Sequence, residues 1–203
     1  MNLKKVNENY LMSNENKLFE LKDKVLPNSM SNLMESIVIS EKFPWNFLMD
    51  SAEGNSVNSH KTYSFFHTVL RDSQPQSPYF DVFNLGAIQI MEKFDINISQ
   101  KRPFRIRLAL QTAYGIPVVN TPHIDAPFPH QVIVYYFNDS EGNTFLYNED
   151  NTIFKEVAPK RNRAIYFDGL ILHSSSKPVN NAARVIMNID ICGVNEKLNY
   201  SQK

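Results

Sequence analysis

The sequence is poor in three features that mark common protein classes: cysteine, an excess of charge of one sign, and long apolar runs. Its single cysteine, Cys192, excludes an intrachain disulfide framework and fits a reducing compartment. Lysine plus arginine and aspartate plus glutamate both total 21, so no overall basic field attracts nucleic acid or an anionic membrane. No stretch approaches the roughly 20 apolar residues that cross a bilayer. We therefore expect neither nucleic acid nor a membrane as a partner.

The chain also lacks a recognisable leader, internal repeats and a glycine-rich linker. Its first residues, MNLKKVNENYLMSNENKL, contain no apolar core of a signal peptide, which favours a cytoplasmic protein. A length of 203 residues with 42% hydrophobic residues suits one globular domain that buries a core. We expect a single domain over residues 1–203.

The first half of the chain predicts helices around one early strand. Residues 34–49, MESIVISEKFPWNFLM, predict a strand followed by an aromatic segment in which Pro44 ends the regular structure. Residues 51–62 are polar and predict a loop. Large apolar residues then recur at spacings of three and four, which predicts a helix from about 79 to 94. We expect residues 1–95 to support the rest of the domain.

From Phe104 onward the apolar period changes to that of short β-strands. The segments are rich in β-branched and aromatic residues and are separated by turn signals such as DSEGN. They read PFRIRLALQTAY, HQVIVYYFN, TFLYNED, FKEVAP, RAIYFDG and ARVIMNIDICGV. The prediction is an α+β fold: a jelly roll (double-stranded β-helix) over about residues 104–194, supported by N-terminal helices.

The strand that begins at Phe104 has two different faces. Apolar residues at 104, 106, 108 and 110 alternate with Arg105, Arg107 and smaller residues, so one face packs on apolar material. We expect Arg105 and Arg107 to be exposed to solvent. The alternative is an inward pair at the mouth of the jelly roll, which would select an acidic or polar substrate.

A short motif precedes the next strand. In NTPHIDAPFPHQ (120–131), His123 and Asp125 lie two residues apart, and alternate residues of a strand project from the same face. An imidazole nitrogen and a carboxylate oxygen on one face suit a shared metal ion. A turn or a chance occurrence is the simpler alternative, because an isolated H-x-D motif is weak.

Two later residues make the motif more specific. His173 follows Asp125 by 48 residues at the end of an apolar strand, and a jelly roll can bring two such strands side by side. Two histidines and one carboxylate form the facial triad of non-haem Fe(II) oxygenases, which leaves three metal positions open. Arg184 then opens the last strong strand, eleven residues after His173.

With these residues in place, the chain resembles the Fe(II)- and 2-oxoglutarate-dependent dioxygenases, especially the prolyl-4-hydroxylase-like branch and its relatives encoded by marine phages. The matching segments are PHID, VYYFNDSEGNTFLY as the family's hairpin, and VAPKRNRAIYFDG, followed by His173 and Arg184. The resemblance covers roughly residues 104 to 191. It departs from the family in the spacing of Arg184, in Asn143 for the second hairpin glycine and in Ile186 for a small hydroxyl residue, and this weakens the case for a prolyl substrate.

The resemblance implies a role for each matching residue. His123, Asp125 and His173 correspond to the metal ligands and thus to the catalytic centre. Arg184 corresponds to the arginine that pairs with the distal carboxylate of 2-oxoglutarate, a task that suits a guanidinium. Further co-substrate candidates are Tyr136, Asn188 and Tyr114, and the candidates for substrate contact are Arg107 and His130.

The resemblance also implies the chemistry. Such an enzyme uses Fe(II), 2-oxoglutarate and O2, with ascorbate as a candidate addition, and it hydroxylates its substrate while releasing succinate and CO2. The carboxylate of Asp125 argues for hydroxylation, because related halogenases have a small residue at that position. The first substrate we expect is a prolyl or other protein side chain, with a small molecule as the alternative, and a phage-encoded chain would act in the host cytoplasm.

Two competing functions stay open. An AlkB-type nucleobase demethylase has a second arginine six residues after the first, where this chain has Asp190. That difference and the zero net charge argue against nucleobase demethylation. A non-catalytic jelly-roll module or a zinc-binding cupin-like protein would use the same ligand residues without turnover.

Overall fold

The computed structural model describes residues 18–48 and 63–196, and most of its regular structure is antiparallel β-sheet. The two helices are α1, Asn28–Val38, and α2, Phe80–Lys93. The strands are β1 Phe19–Asp23, β2 Asn46–Leu48, β3 Ser64–Arg71, β4 Gln74–Pro75, β5 Lys101–Thr112, β6 Gln131–Tyr136, β7 Thr144–Tyr147, β8 Ile153–Val157, β9 Arg163–Asp168, β10 His173–Ser175 and β11 Ala183–Gly193. The loop predicted over residues 51–62 lies outside the described residues.

One helix agrees with the sequence prediction, and the other lies where a strand was predicted. The helix predicted at about 79 to 94 is confirmed as α2. The early strand predicted from residue 34 is wrong, because residues 34–38 complete helix α1. Ser31, Met34 and Val38 are its buried residues, and their spacings of three and four place them on one side of the helix. Packing of that side outweighs the β propensity of the run of branched residues at its end.

The strands form two sheets. The larger sheet has the order β1-β9-β6-β11-β5-β3-β2, with β4 paired to β3, and the smaller has the order β10-β7-β8. Isolated β-bridges pair Val119 with Ser176 and His123 with His173. They place the segment before β6 alongside β10. This arrangement confirms the predicted jelly-roll core. The hairpin expected from the family resemblance is not formed, since β6 belongs to the larger sheet and β7 to the smaller.

Strand β6 shows why the sheet sequences are so apolar. Ile133 and Tyr135 pack in the cluster that contains both helices, whereas Val132, Val134 and Tyr136 pack in the cluster between the sheets. Both faces of the strand are therefore buried, and the side chains alternate between two apolar layers.

Strand β5 has the same alternation with a polar inner face. Ile106 and Leu108 pack in the helix-side cluster, as predicted from the sequence. Arg105 and Arg107, expected at the solvent-facing side, instead line a cavity between the two sheets. The prediction of exposure is wrong because the smaller sheet covers this face, and the sequence of β5 alone does not reveal that cover.

In residues 18–48 and 63–196, neither helix has the length and apolarity needed to traverse a lipid bilayer.

Candidate active site

A cavity of about 100 Å³ lies between the larger and the smaller sheet. Its apolar wall includes Phe66, Ala109, Val134 and Ile186. Its polar wall includes the three predicted metal ligands together with Arg105, Arg107, Gln111, Asn120, Thr144, Arg184 and Asn188. Charged and polar side chains from β5, β7, β10, β11 and the segment before β6 thus converge on one partly enclosed space.

The three predicted metal ligands come together in this cavity. Each of His123, Asp125 and His173 offers one ligand atom, and these atoms all lie within 4.8 Å of one another. The backbone holds the two histidines together: the amide of His123 donates to the carbonyl of His173 at 2.9 Å, and the reverse bond is 3.0 Å long. His123 and Asp125 belong to an extended segment rather than to a named strand, and the bridge to β10 supplies the register that a strand would give.

Backbone carbonyls orient both imidazoles. The Nδ1 atom of His123 lies 3.2 Å from the carbonyl oxygen of Thr121, and Nδ1 of His173 lies 3.0 Å from that of Ile171. Because a carbonyl only accepts, each Nδ1 carries the proton. In the neutral imidazoles, the Nε2 atoms then carry the lone pairs that bind a metal, which is the usual arrangement of metal-ligating histidines.

The carboxylate of Asp125 is held on both oxygens. The Arg105 guanidinium donates to Oδ1, Asn188 Nδ2 donates to Oδ2 at 2.9 Å, and His173 Nε2 lies 3.3 Å from the same Oδ2. Burial opposes ionisation, but His173 and Arg105 hold the pKa of Asp125 well below its usual range. Burial also opposes protonation of His173, and the Asp125 carboxylate nevertheless raises the pKa of that imidazole. The site therefore offers an ionised carboxylate.

A second carboxylate supports Arg105 from behind. Asp190 is fully buried and accepts a hydrogen bond from Arg105 Nε. Burial and the charge of Asp125 raise the pKa of Asp190 to about 7, with Arg105 opposing. Arg105 thus lies between two acids, and its guanidinium holds the carboxylate of Asp125 in place.

Arg184 is a buried cation without a carboxylate partner in the part of the chain that the structure describes. Its side chain is 2% exposed, and its Nη2 donates to Thr144 Oγ1 at 2.8 Å while Nη1 lies 3.4 Å from Gln111 Oε1. Among residues 18–48 and 63–196, its Nε has no hydrogen-bond partner. Burial lowers the pKa of Arg184, but an arginine stays charged at neutral pH. A buried guanidinium that lines a cavity without a counter-ion suits an anionic ligand.

The donor set fits an iron centre with a carboxylate co-substrate. Two imidazoles and one ionised carboxylate are the ligands of the non-haem Fe(II) facial triad. Arg184 lines the same cavity and has an unpartnered donor for a carboxylate. A candidate metal cluster and a candidate anion-binding arginine therefore line the same cavity.

The other predicted site residues lie in different places. Tyr136 is fully buried behind the cavity wall, and its hydroxyl donates to Thr144 Oγ1 at 2.8 Å. Asn188 lines the cavity but donates to Asp125 rather than toward Arg184. Tyr114 is 37% exposed and lies outside the cavity lining. Arg107 lines the cavity, whereas His130 lines a separate depression with Cys192.

Sequence reasoning missed four residues that hold the site. Gln111 and Thr144 hydrogen bond Arg184, and Arg105 with Asp190 secures Asp125. A signal existed for Gln111, since it shares the inner face of β5 with the two arginines. A signal also existed for Thr144, which belongs to the G-x-T segment matched to the family. The partnership of Arg105 with Asp190 depends on the pairing of β5 with β11 and has no local signal.

No protein-family model matches the chain, and no curated protein matches it either. Solved structures do. A 2OG-Fe(II) oxygenase family oxidoreductase from Burkholderia pseudomallei aligns with a TM-score of 0.65 at 12% identity, covering 85% of this chain and 84% of that one. A Pseudomonas putida prolyl-4-hydroxylase gives a TM-score of 0.58 at 12% identity, covering 86% of this chain and 92% of that one.

A third similar structure is that of an epimerase. The epimerase SnoN, in complex with Fe3+, alpha ketoglutarate and nogalamycin RO, aligns with a TM-score of 0.59 at 14% identity over 86% of this chain and 78% of that one. These similarities show the fold, and at that level they confirm the resemblance predicted from the sequence. Because one fold serves a hydroxylase and an epimerase, the fold does not assign a substrate.

Proposed function

We propose that the chain is an Fe(II)- and 2-oxoglutarate-dependent dioxygenase that hydroxylates its substrate and releases succinate and CO2. The proposal covers a single domain over residues 1–203. One observation carries it: the His123, Asp125 and His173 cluster lines the same cavity as Arg184, which has no carboxylate partner among the described residues. The similarity to oxygenase structures supports the proposal at the level of the fold.

The chain's own residues would hold the two cofactors in place. His123, Asp125 and His173 would bind Fe(II) through two Nε2 atoms and one carboxylate oxygen, and three positions would stay open. Arg184, anchored by Thr144, would pair with the distal carboxylate of 2-oxoglutarate. When bound, iron and 2-oxoglutarate supply the oxidative chemistry that protein side chains lack.

Other residues would orient this centre and exclude water from it. Arg105 and Asn188 fix the carboxylate plane of Asp125 by holding one oxygen each. The apolar side chains of Phe66, Val134 and Ile186 limit water in the cavity. The carboxylate of Asp125 would supply a metal ligand at the position where related halogenases have a small residue, and this supports hydroxylation.

The first substrate to test is a prolyl or other protein side chain, with small molecules as the second class. Nucleobase demethylation has less support, because Asp190, at the position of the expected second arginine, is fully buried and paired with Arg105. A cytoplasmic location and a phage origin stay predictions from the sequence.

The proposal is tested by measuring succinate formed from 2-oxoglutarate with Fe(II) and O2, without added substrate. Wild type should turn over slowly, and His123→Ala should not. Under anaerobic conditions the wild type with Fe(II) and 2-oxoglutarate should also develop a visible charge-transfer absorption. The matched control is His130→Gln, which replaces a buried histidine outside the cavity and should retain both signals.

The proposal would be contradicted if the protein bound Zn(II) but gave neither the charge-transfer absorption nor succinate with Fe(II) and 2-oxoglutarate. That result would favour a non-catalytic cupin-like metal module. Loss of both signals in His130→Gln despite normal folding would also contradict the assignment of the metal site. Stimulation of succinate release by prolyl peptides, free amino acids or methylated nucleotides would then identify the substrate class.

A further inference from the structure

We propose that Arg107 binds a carboxylate or phosphate group on the substrate, so that the enzyme acts on an anionic molecule or segment. The proposal rests on the proposed function, because it places this substrate beside the same metal cluster. It adds a second anion site to the one at Arg184.

Arg107 is close to the metal cluster through the pairing of strands. It shares the inner face of β5 with Arg105, two residues away, and both line the cavity. Across the sheet it pairs with Asn188 on β11, whose side chain donates to Asp125. Side chains of directly opposed residues in an antiparallel pair lie about 5 Å apart at Cβ. A group held by Arg107 is therefore about one side chain away from the metal ligands.

The three arginines in the cavity have different partners. Arg105 is paired with Asp125 and Asp190. Arg184 is bonded to Thr144 and Gln111 and is assigned to the co-substrate. Arg107 has neither a hydrogen bond nor an ion pair with any residue in the described ranges. Within the described residues, Arg107 is thus the cavity arginine that pairs with no acidic side chain and is not assigned to the proposed co-substrate.

Phe66 holds the Arg107 guanidinium in place without using its donors. The central carbon of the guanidinium lies 3.6 Å above the centroid of the Phe66 ring, which is a close cation–π stack. Stacking covers one face of the guanidinium plane and leaves its N–H edge for hydrogen bonds. Two parallel N–H groups match the geometry of a carboxylate or a phosphate.

The charge of Arg107 persists in this setting. Burial and the neighbouring Arg105 lower the pKa of Arg107 to about 10, so the group is still cationic at neutral pH. An unpaired charge in a partly enclosed site is costly, and an anionic ligand offsets that cost. The neighbouring wall of Phe66, Ala109 and Ile186 suits an apolar body attached to the anion.

Small aromatic anions test the proposal directly. Phenyl phosphate and benzoate, with benzyl alcohol as the neutral match, are titrated by calorimetry into the protein, first metal-free and then saturated with Zn(II) and 2-oxoglutarate. Zinc keeps the cluster occupied without turnover, and the co-substrate occupies Arg184. Wild type should bind at least one of the two anions in both forms and should not bind the alcohol.

Substitutions distinguish anion binding at Arg107 from a general effect of positive charge. Arg107→Gln should weaken anion binding by about tenfold, the loss expected for one charge-assisted pair of bonds. Arg107→Lys should bind phenyl phosphate better than benzoate, because an ammonium lacks the planar fork. Arg102→Gln, on the exposed beginning of the same strand, is the matched control and should bind as wild type does.

Two results would overturn the proposal: no binding of either anion at millimolar concentration, or equal binding by wild type and Arg107→Gln. A failure of the proposed function gives a different pattern. Zn(II) binding would then not depend on His123, and 2-oxoglutarate binding would not depend on Arg184. The metal-free titration would still report on anion binding at Arg107.

Discussion

Arg105 and Asp125 form a largely buried ion pair, and the guanidinium that holds this carboxylate is itself held by Asp190. The carboxylate of Asp125 is therefore the end of a chain of three ionisable side chains that links β5 and β11 to the irregular segment before β6. The orientation of Asp125 thus depends, through Arg105 and Asp190, on the pairing of β5 with β11 in the larger sheet.

We expect Arg105→Gln to weaken Zn(II) or Fe(II) binding by about 10- to 100-fold, because outer partners of metal ligands typically contribute this much. Anaerobic calorimetric titration measures the affinity. Removing the guanidinium also leaves Asp190 buried without its cation, which costs stability. The double variant Arg105→Met/Asp190→Leu removes both charges, should fold well, and should still bind metal weakly. Wild-type affinity in that variant would contradict the positioning role.

Thr144 is expected to position Arg184. Its hydroxyl oxygen accepts from both Arg184 and Tyr136, at 2.8 Å each. Thr144→Val keeps the volume but removes the acceptor, so we expect about 1–2 kcal/mol weaker 2-oxoglutarate binding with little change in metal affinity. Thr152→Val, in an exposed turn of the smaller sheet, is the control. Parallel losses of metal and 2-oxoglutarate affinity would indicate a general packing defect instead.

Gly142 is expected to be indispensable for the approach of the β6–β7 connection to Arg184. Its φ is +90°, and a Cβ there would lie 2.6 Å from the carbonyl oxygen of Ser176 and 3.0 Å from Arg184 Cδ. Gly115 also has a positive φ, +77°, but no described residue lies within 4 Å of an added Cβ there. Gly115→Ala should cost about 1 kcal/mol through backbone strain alone, and Gly142→Ala clearly more. Chemical denaturation measures both, and equal losses would show that the close contact is unimportant.

The ion pair of Asp23 with Arg163 predicts an acid-sensitive contribution to stability. The hydrogen bond from Arg163, with Lys160 also contributing, lowers the pKa of Asp23 from its ordinary 3.8 to about 2, against the effect of burial. The stabilisation is present above pH 3.8 and is lost as the pH falls through about 2. Because the carboxylate is 36% exposed, screening limits it to no more than about 1 kcal/mol.

This contribution is measured by comparing the free energy of unfolding of wild type and Asp23→Asn across the acid range. The difference should be largest near neutral pH and should disappear at the lowest pH. A difference that stays constant with pH would show that the asparagine acts by another route.

The sequence predicted those parts of the site that a local pattern encodes. The alternation in β5 placed Ile106 and Leu108 correctly, and the spacing of H-x-D, His173 and Arg184 predicted a cluster that the structure brings together. It could not tell what covers the polar face of β5, because a two-residue period defines two faces but not the neighbour of each. Helix α1 was missed since three branched residues at its end outweighed the helical spacing of Met34 and Val38.

Reciprocal main-chain hydrogen bonds join His123 and His173, and they affect how such a site can evolve. The proximity of the two positions is a property of the fold and is independent of which side chains occupy them. A mutation at either position alters the ligand without altering the scaffold. One framework can therefore carry different pairs of side chains at these two positions while the surrounding architecture persists.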